Sequence, residues 1–196
     1  PVGRMSERRP SRRQVEQAVA TLLRWIGEDP TRPGLGATPG LVASAWLEHG
    51  RGYRTTPEAA LGEILEGAEP PDGMVLLRDI RFESHCEHHL APFVGLAHVA
   101  YLPDRRVAGI GGIARLVDCF AKRLQIQERL TDQIARSLDE LLQPKGVAVL
   151  IEATHHCLTT RGAHKPGTRF VTTRLLGSFH EDPELRQDFY RLAGHH

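Results

Sequence analysis

The sequence predicts an α+β protein in which a helical N-terminal region, residues 1–70, precedes a larger body, residues 71–196. In the first region, capping residues, prolines and apolar side chains recur at helical spacing. In the second, two strand-like stretches, two amphipathic helices and two more strand-like stretches follow one another. Strands that flank a helix pair in this way are typical of an antiparallel sheet with both helices on one face.

The N-terminal region contains three helix signals. Ser11 is a capping residue ahead of apolar side chains with a 3.6-residue period, namely Val15, Ala18, Val19, Leu22, Leu23 and Ile26. Thr38-Pro39 and Thr56-Pro57 each place a capping threonine before a proline at the first helical position, which predicts a second and a third helix. We expect the third helix to extend through Ile64-Leu65, before the turn sequence Pro70-Pro71-Asp72-Gly73.

The hydrophobic pattern of the body predicts its strands and helices. Stretches rich in β-branched and apolar residues predict strands at residues 75–82, 95–102, 147–153 and 169–176. Apolar residues at helical spacing predict amphipathic helices at residues 113–124 and about 127–142. Cys119 lies on the first of these helices and is expected to be a small buried hydrophobe.

Composition narrows the classes of function. The 196 residues are 40% hydrophobic, which is enough for a core, and carry a formal net charge of +1. That balance gives no reason to expect nucleic acid or an anionic membrane as the main partner. No apolar run approaches the roughly 20 residues of a membrane span, and no signal-peptide pattern opens the chain. Three cysteines, two of them beside histidines, do not make a disulfide framework. We therefore expect the protein to be located in a reducing cytoplasm.

Two separated clusters of cysteine and histidine predict a metal site. Cys86-x-x-His89 lets two side chains from one turn reach a single ion, and Cys157 is the only other cysteine in a histidine-rich stretch. Thiolate and imidazole are ligands that Zn²⁺ prefers, and three protein ligands leave a fourth position for water, as in catalytic sites. Two alternatives stay open: a structural site that also uses His88 or His156, and a surface cluster that binds no ion.

Two histidines beside these ligands are candidates for acid–base catalysis. Side chains alternate along an extended backbone, so His155 and Cys157 are expected to share a face while His156 points away. His88 and His89 are adjacent and are not expected to reach the same ion. The pattern therefore predicts His88 and His155 as proton carriers next to a metal that other residues hold.

Four longer motifs, in this order, resemble those of the zinc-dependent GTP cyclohydrolase I family, and the likeness covers most of the chain. The motifs are Glu28-Asp29-Pro30-Thr31-Arg32-Pro33-Gly34-Leu35 with Thr38-Pro39, Cys86-Glu87-His88-His89-Leu90-Ala91-Pro92-Phe93, Arg123-Leu124-Gln125-Ile126-Gln127-Glu128-Arg129-Leu130-Thr131, and Glu152-Ala153-Thr154-His155-His156-Cys157 with Arg161-Gly162.

This resemblance implies an enzyme that opens the imidazole ring of a guanine nucleotide. In the family, a zinc-bound water attacks the carbon between the two imidazole nitrogens. That carbon leaves as formate, and GTP becomes 7,8-dihydroneopterin triphosphate. By analogy Cys86, His89 and Cys157 hold zinc, while His88 and His155 manage protons.

The resemblance also implies a fold, an assembly and substrate contacts. The family has the tunnelling fold and forms a decamer of two pentamers, with active sites at subunit interfaces. Glu128 matches the carboxylate that accepts hydrogen bonds from guanine, and its neighbour Gln127 is expected to bind substrate as well. Arg115 and Arg161 match substrate-binding arginines.

The chain departs from the family where the family binds the triphosphate. Leu41 stands where the family has an arginine, and Gly111 and Gly112 replace a Ser-Lys pair. Phe170 replaces the middle threonine of a Ser-x-Thr-x-Thr run. A charge-assisted phosphate contact contributes about 1.5–3 kcal/mol, so losing two would lower affinity by roughly two to four orders of magnitude without compensation.

Two sources of compensation are open, and with them two hypotheses about the substrate. Backbone amides of Gly111 and Gly112 at a helix start can bind an anion, and Lys165, Arg169 or Arg174 can replace the missing cations. In the first hypothesis the substrate is GTP, as in the family. In the second, a specialised paralogue opens a guanine nucleoside, monophosphate or free base, including oxidised guanine. A zinc-stabilised scaffold is disfavoured because it would need neither catalytic histidine.

Overall fold

The computed structural model describes residues 9–67 and 72–194. It divides into two compact units, one ending at His49 and the other beginning at Gly50. The predicted boundary at residue 70 falls at Pro70-Pro71, outside the described residues, so this boundary stays a prediction. Within the described part of the chain, no helix has the length and apolar character needed to cross a membrane.

The first unit contains two helices, α1 (Arg12–Trp25) and α2 (Thr38–His49). Ser11 caps α1 as predicted, because its hydroxyl accepts from the Gln14 amide and the Gln14 side chain accepts from the Ser11 amide. The cap therefore located the start of α1, and Ile26, the last apolar residue of the predicted period, is its C-cap.

The second unit carries the sheet and the remaining helices. Its elements, after a 3₁₀ turn at Arg51–Arg54, are α3 (Pro57–Leu61), β1 (Ile64–Glu66), β2 (Val75–Cys86), β3 (Pro92–Leu102), β4 (Arg106–Ala108), α4 (Ile110–Ala121), β5 (Leu124–Gln125), α5 (Gln127–Leu142), β6 (Gly146–His155), α6 (His156–Thr159), β7 (Phe170–Gly177), α7 (Ser178–Glu181) and α8 (Pro183–Ala193). The main sheet has the order β5-β2-β3-β6-β7. Its pairs are antiparallel except β2–β5, which confirms the predicted α+β class.

Helices cover both faces of this sheet. On one face α4 packs on β2, and α5 packs on β6 and β7, around a core that includes Tyr101, Leu116 and Ile134. On the other face Phe179 and Phe189, from α7 and α8, pack on small and aliphatic residues of β3 and β6. The helix pair on one face was predicted, whereas α7 and α8 were not.

The third predicted helix is shorter than expected. Helix α3 ends at Leu61, and Gly62 has a φ of 76°, in the left-handed region where glycine stops a helix. Ile64 and Leu65 were predicted to be helical, which is wrong: they belong to β1, which pairs with β4. Helix α4 likewise begins at Ile110, three residues before its predicted start, because Gly109 is its N-cap.

Gly112 lets α3 and α4 approach closely. It is buried, and a Cβ built on it would lie 2.1 Å from the carbonyl oxygen of Leu61. Its amide already donates to the carbonyl of Gly109 at 2.8 Å. In this structure Gly112 therefore serves the packing of two helices, and a lysine there would require α3 to move.

Replacing Gly112 with alanine is expected to destabilise the protein by about 1–3 kcal/mol, the usual cost of overpacking a filled interior. Gly111→Ala is the matched control, because Gly111 is exposed and its Cβ would meet only the flexible end of Arg115, at 3.2 Å. Alanine also favours a helix interior by about 0.5–1 kcal/mol over glycine. Denaturation midpoints measure both effects, and equal midpoints for the two variants would contradict the packing role of Gly112.

Candidate active site and metal centre

A tight turn after β2 holds the first two predicted ligands. The amide of Cys86 donates to the carbonyl of Ala91, and the amide of Leu90 donates back to the carbonyl of Cys86, each at 2.9 Å. Leu90 closes the turn with a φ of 54°. As a result the Nδ1 atoms of His88 and His89 lie 3.9 and 3.8 Å from the Cys86 sulfur.

The third predicted ligand reaches this turn from the end of β6. The β3–β6 register pairs Phe93 with His155, and β3 starts directly opposite the end of β2. Strand β6 ends at His155, and Cys157 lies in the short helix α6 rather than on an extended backbone. The prediction that Cys157 lies on an extended backbone is therefore wrong. Its sulfur nevertheless lies beside the other two predicted ligands, as expected.

The ligand atoms of Cys86, His89 and Cys157 all lie within 4.8 Å of one another. Tetrahedral zinc with bonds of about 2.3 Å to sulfur and 2.0–2.1 Å to nitrogen separates a sulfur and a nitrogen ligand by about 3.6 Å. The 3.8 Å between the Cys86 sulfur and His89 Nδ1 is close to that value. The donor set and its spacing therefore fit zinc, and neither His88 nor His156 belongs to this described group.

The surroundings of Cys157 favour its protonated thiol as long as no cation is bound. Burial raises the pKa of Cys157, and the neighbouring Cys86 thiol raises it further, while Arg161 lowers it. A bound cation reverses this balance, because a metal-coordinating thiol is deprotonated. Metal binding at this site is thus expected to release protons.

His155 is held on three sides next to the cluster. Its Nε2 lies 2.8 Å from Oε1 of Gln127. Its ring stacks on Phe93 with centroids 4.5 Å apart and planes 4° from parallel, and Phe170 meets it edge-on at 5.6 Å. Burial lowers the pKa of His155, and the nearby carboxylate of Glu128 opposes the shift. The imidazole is therefore neutral near pH 7 and able to accept a proton.

The two predicted guanine-binding residues differ in exposure. Both stand at the start of α5, where Glu128 is exposed and acts electrostatically on His155. Gln127 is 0% exposed and bonds only to protein groups. Of the two, only the Glu128 side chain is exposed at the surface.

The predicted phosphate-binding residues differ in exposure and in the protein groups that they contact. Arg115 donates from Nε to the carbonyl of Ala60 at 2.9 Å, at the end of α3. Arg169 forms an ion pair with Glu152, and Arg174 lies 3.0 Å from Asp132.

Lys165 and Arg161 are exposed, and neither forms an ion pair with a described residue. Leu41 is 67% exposed in the first unit.

Sequence reasoning missed the surroundings of His155. Phe93 was quoted as part of a motif and Phe170 as a departure, but nothing in their spacing placed either ring on His155. The hydroxyls of Thr131 and Thr172, which meet at 2.7 Å beside Gln127, were also missed. Contacts of this kind depend on which strands are neighbours, and a single sequence does not specify that order.

Comparisons with known proteins find relatives that match most of the chain. A family model described as GTP cyclohydrolase I matches residues 15–194. Two curated relatives named GTP cyclohydrolase 1 are 51% identical (Maricaulis maris) and 49% identical (Sinorhizobium fredii), each over 184 residues that cover 94% of this chain and 90% of the relative. A solved structure titled archaeosine synthase QueF-Like, in the apo form, has 17% identity and a TM-score of 0.44 over 55% of this chain and 97% of that one. That last likeness is too distant to bear on function.

Proposed function

The chain belongs to the GTP cyclohydrolase I family, and from this premise we propose that it opens the imidazole ring of GTP hydrolytically, yielding 7,8-dihydroneopterin triphosphate and formate. The observation that carries the proposal is the cluster of Cys86, His89 and Cys157 beside a half-buried histidine, His155, whose ring is held by Gln127 and Phe93. A zinc-stabilised scaffold would need only the three metal ligands and no histidine for proton transfer. The enzyme is thus a hydrolase that acts on the C–N bonds of a cyclic amidine.

Cys86, His89 and Cys157 would hold the zinc ion. When bound, zinc is a Lewis acid that makes a water molecule nucleophilic near neutral pH. With three protein ligands, the fourth position is open to water, as catalytic sites require. The alternative of a structural four-ligand site is disfavoured by the absence of His88 and His156 from the described group.

The remaining residues of the site would bind guanine and move protons. His155 is neutral and accepts a proton as the ring opens, because a general base must be unprotonated at the working pH. His88 lies on the exposed side of the turn and exchanges protons between the imidazole ring and solvent. Glu128 accepts hydrogen bonds from N–H groups of guanine, for which its exposed carboxylate is suited.

Phosphate binding would use the exposed cations near the site. Arg161 acts electrostatically on Cys157, so it lies close enough to the cluster to face a bound nucleotide. Lys165 stands on the same exposed loop. Arg115 would also bind phosphate, from a nucleotide held by a neighbouring subunit, as the family's assembly implies. Arg169 and Arg174 contribute less, since each already has a carboxylate partner.

The family implies a homodecamer in which neighbouring subunits complete each site. One edge of the main sheet supports this, because no described strand pairs with the outer side of β7 and Phe170 and Val171 are exposed there. Such edges invite pairing with another chain. The described chain has three free cysteines, which suits a reducing cytoplasm. The product would feed pterin and tetrahydrofolate synthesis, and through it one-carbon metabolism.

The test is a substrate series for the zinc-loaded protein. We expect formate release from GTP, with kcat/KM at least about 10-fold higher than for GMP or guanosine, since one lost charge-assisted phosphate contact costs about 1.5–3 kcal/mol. Guanine and oxidised guanine complete the series. Turnover of the phosphate-poor substrates without GTP turnover would contradict the proposal and favour the specialised paralogue, for which the relatives give no support.

A further inference from the structure

Gln127 lies at the centre of a buried hydrogen-bond network that joins α5 to β6 and β7. Its Nε2 donates to the carbonyl oxygens of Ile151 (3.0 Å) and Phe170 (2.9 Å) and approaches Oγ1 of Thr172 at 3.1 Å. Thr172 in turn meets Thr131, whose hydroxyl donates to the carbonyl of Gln127 at 2.7 Å. The side chain is 0% exposed, so protein groups satisfy the whole amide.

This network fixes which way the amide of Gln127 faces. A carbonyl oxygen of the backbone can only accept, so the group that faces Ile151 and Phe170 must be the NH₂. The amide oxygen is therefore turned to His155, and it too can only accept. It follows that His155 carries its proton on Nε2 when neutral, with the lone pair on Nδ1.

The aromatic neighbours fix the rest of the ring's geometry. Parallel stacking on Phe93 sets the plane of the imidazole, and the hydrogen bond to Gln127 sets its rotation within that plane. Phe170 covers a further side. Nδ1 forms no hydrogen bond with any residue in the described ranges, so it is the nitrogen left to accept a proton.

We propose that Gln127 is a positioning residue, whose amide sets the orientation and tautomer of His155 and so makes Nδ1 the proton-accepting atom. This differs from a direct contact with the substrate, which the resemblance implied for Gln127. The catalytic consequence rests on the proposed function, whereas the tautomer itself does not.

The first test is the tautomer in the zinc-loaded wild-type protein. Long-range ¹H–¹⁵N correlation of histidine ring nitrogens, with the His155 signals assigned by their loss in His155→Ala, reports which nitrogen is protonated. We expect Nε2–H and an unprotonated Nδ1 without any substrate present. An Nδ1–H tautomer would overturn the proposal, whether or not the protein turns over GTP.

The second test compares two buried glutamines. Gln127→Met removes the amide that His155 needs. Gln125→Met is the matched control, because Gln125 is 2% exposed and fully bonded, to Phe120, Gln133 and Arg129, but does not touch His155. Both variants should lose stability. Only Gln127→Met should mix the His155 tautomers and lower kcat for GTP by about 10- to 100-fold.

The balance between kcat and KM separates positioning from binding. A positioning role lowers kcat and leaves KM for GTP nearly unchanged, whereas a lost substrate contact raises KM. An unchanged tautomer in Gln127→Met, or a rise in KM at constant kcat, would overturn the proposal. A wild-type protein with Nε2–H but no GTP turnover would reject the proposed function and leave the assignment of the tautomer intact.

Discussion

Replacing Cys157 with alanine is expected to abolish stoichiometric zinc binding and with it the release of formate from GTP. The variant removes one of three converging ligands, and even residues that only support a ligand typically contribute 10- to 100-fold in metal affinity, so we expect a loss of at least about 100-fold. Zinc content after dialysis and the zinc dissociation constant measure the effect.

Cys119→Ala is the matched control for this variant. Cys119 is a buried thiol in α4, where its sulfur bonds to Arg123 and to the carbonyl of Thr55 rather than to the cluster. We expect Cys119→Ala to keep one zinc per chain and to change only stability. Equal zinc affinity in the two variants would show that Cys157 is not a ligand.

Replacing His155 with alanine is expected to lower kcat for GTP by about 10²- to 10⁴-fold, the usual contribution of a positioned general base or acid. Zinc content should stay at one per chain, because His155 lies beside the ligand group and not in it. Steady-state kinetics and metal analysis on the same preparation distinguish loss of proton transfer from loss of the metal.

His156→Ala is the control for this second prediction. His156 adjoins His155 in the chain and is half-buried, yet α6 begins at His156 and turns it out of the extended run. We expect kcat within about a few-fold of the wild-type value, since no proton-transfer contribution of the usual 10²- to 10⁴-fold is lost. A kcat loss as large as that of His155→Ala would mean that the two histidines share the role assigned to one.

Much of the site could be predicted because its parts are local. Cys86 and His89 stand three residues apart, and a turn of that length brings both side chains to one point whatever the rest of the fold does. The strands and helices that carry the site were also readable, because periods of 2 and 3.6 residues follow from backbone geometry alone. These two facts account for the α+β prediction and for most of the ligand set.

The errors concern residues whose conformation depends on partners far along the chain. Ile64 and Leu65 continue an apolar helical pattern, but β4 offers them backbone hydrogen bonds and Gly62 stops the helix first. Cys157 was expected on a strand, whereas the backbone turns into α6 after His155. Tertiary pairing outweighs local propensity in both cases.

A sequence signal for α8 was present and was not used. Asp182 caps this helix by accepting from the amides of Glu184 and Leu185, and Pro183 follows at the first helical position. This is the same pattern that predicted α3 from Thr56-Pro57. The packing role of Gly112 had no such signal, because a glycine in a helix looks the same whether its missing side chain makes room for a ligand or for a neighbouring helix.

Opening of the guanine imidazole ring at the Cys86–His89–Cys157 centre can be measured by following one carbon atom. GTP labelled with ¹³C at the carbon between the two imidazole nitrogens is incubated with the zinc-loaded protein, and the label is followed by ¹³C NMR. We expect one labelled formate for each GTP consumed, and none from the zinc-free protein or from Cys157→Ala. A label that remains in an intact purine, in a protein carrying one zinc per chain, would show that this centre does not open the ring.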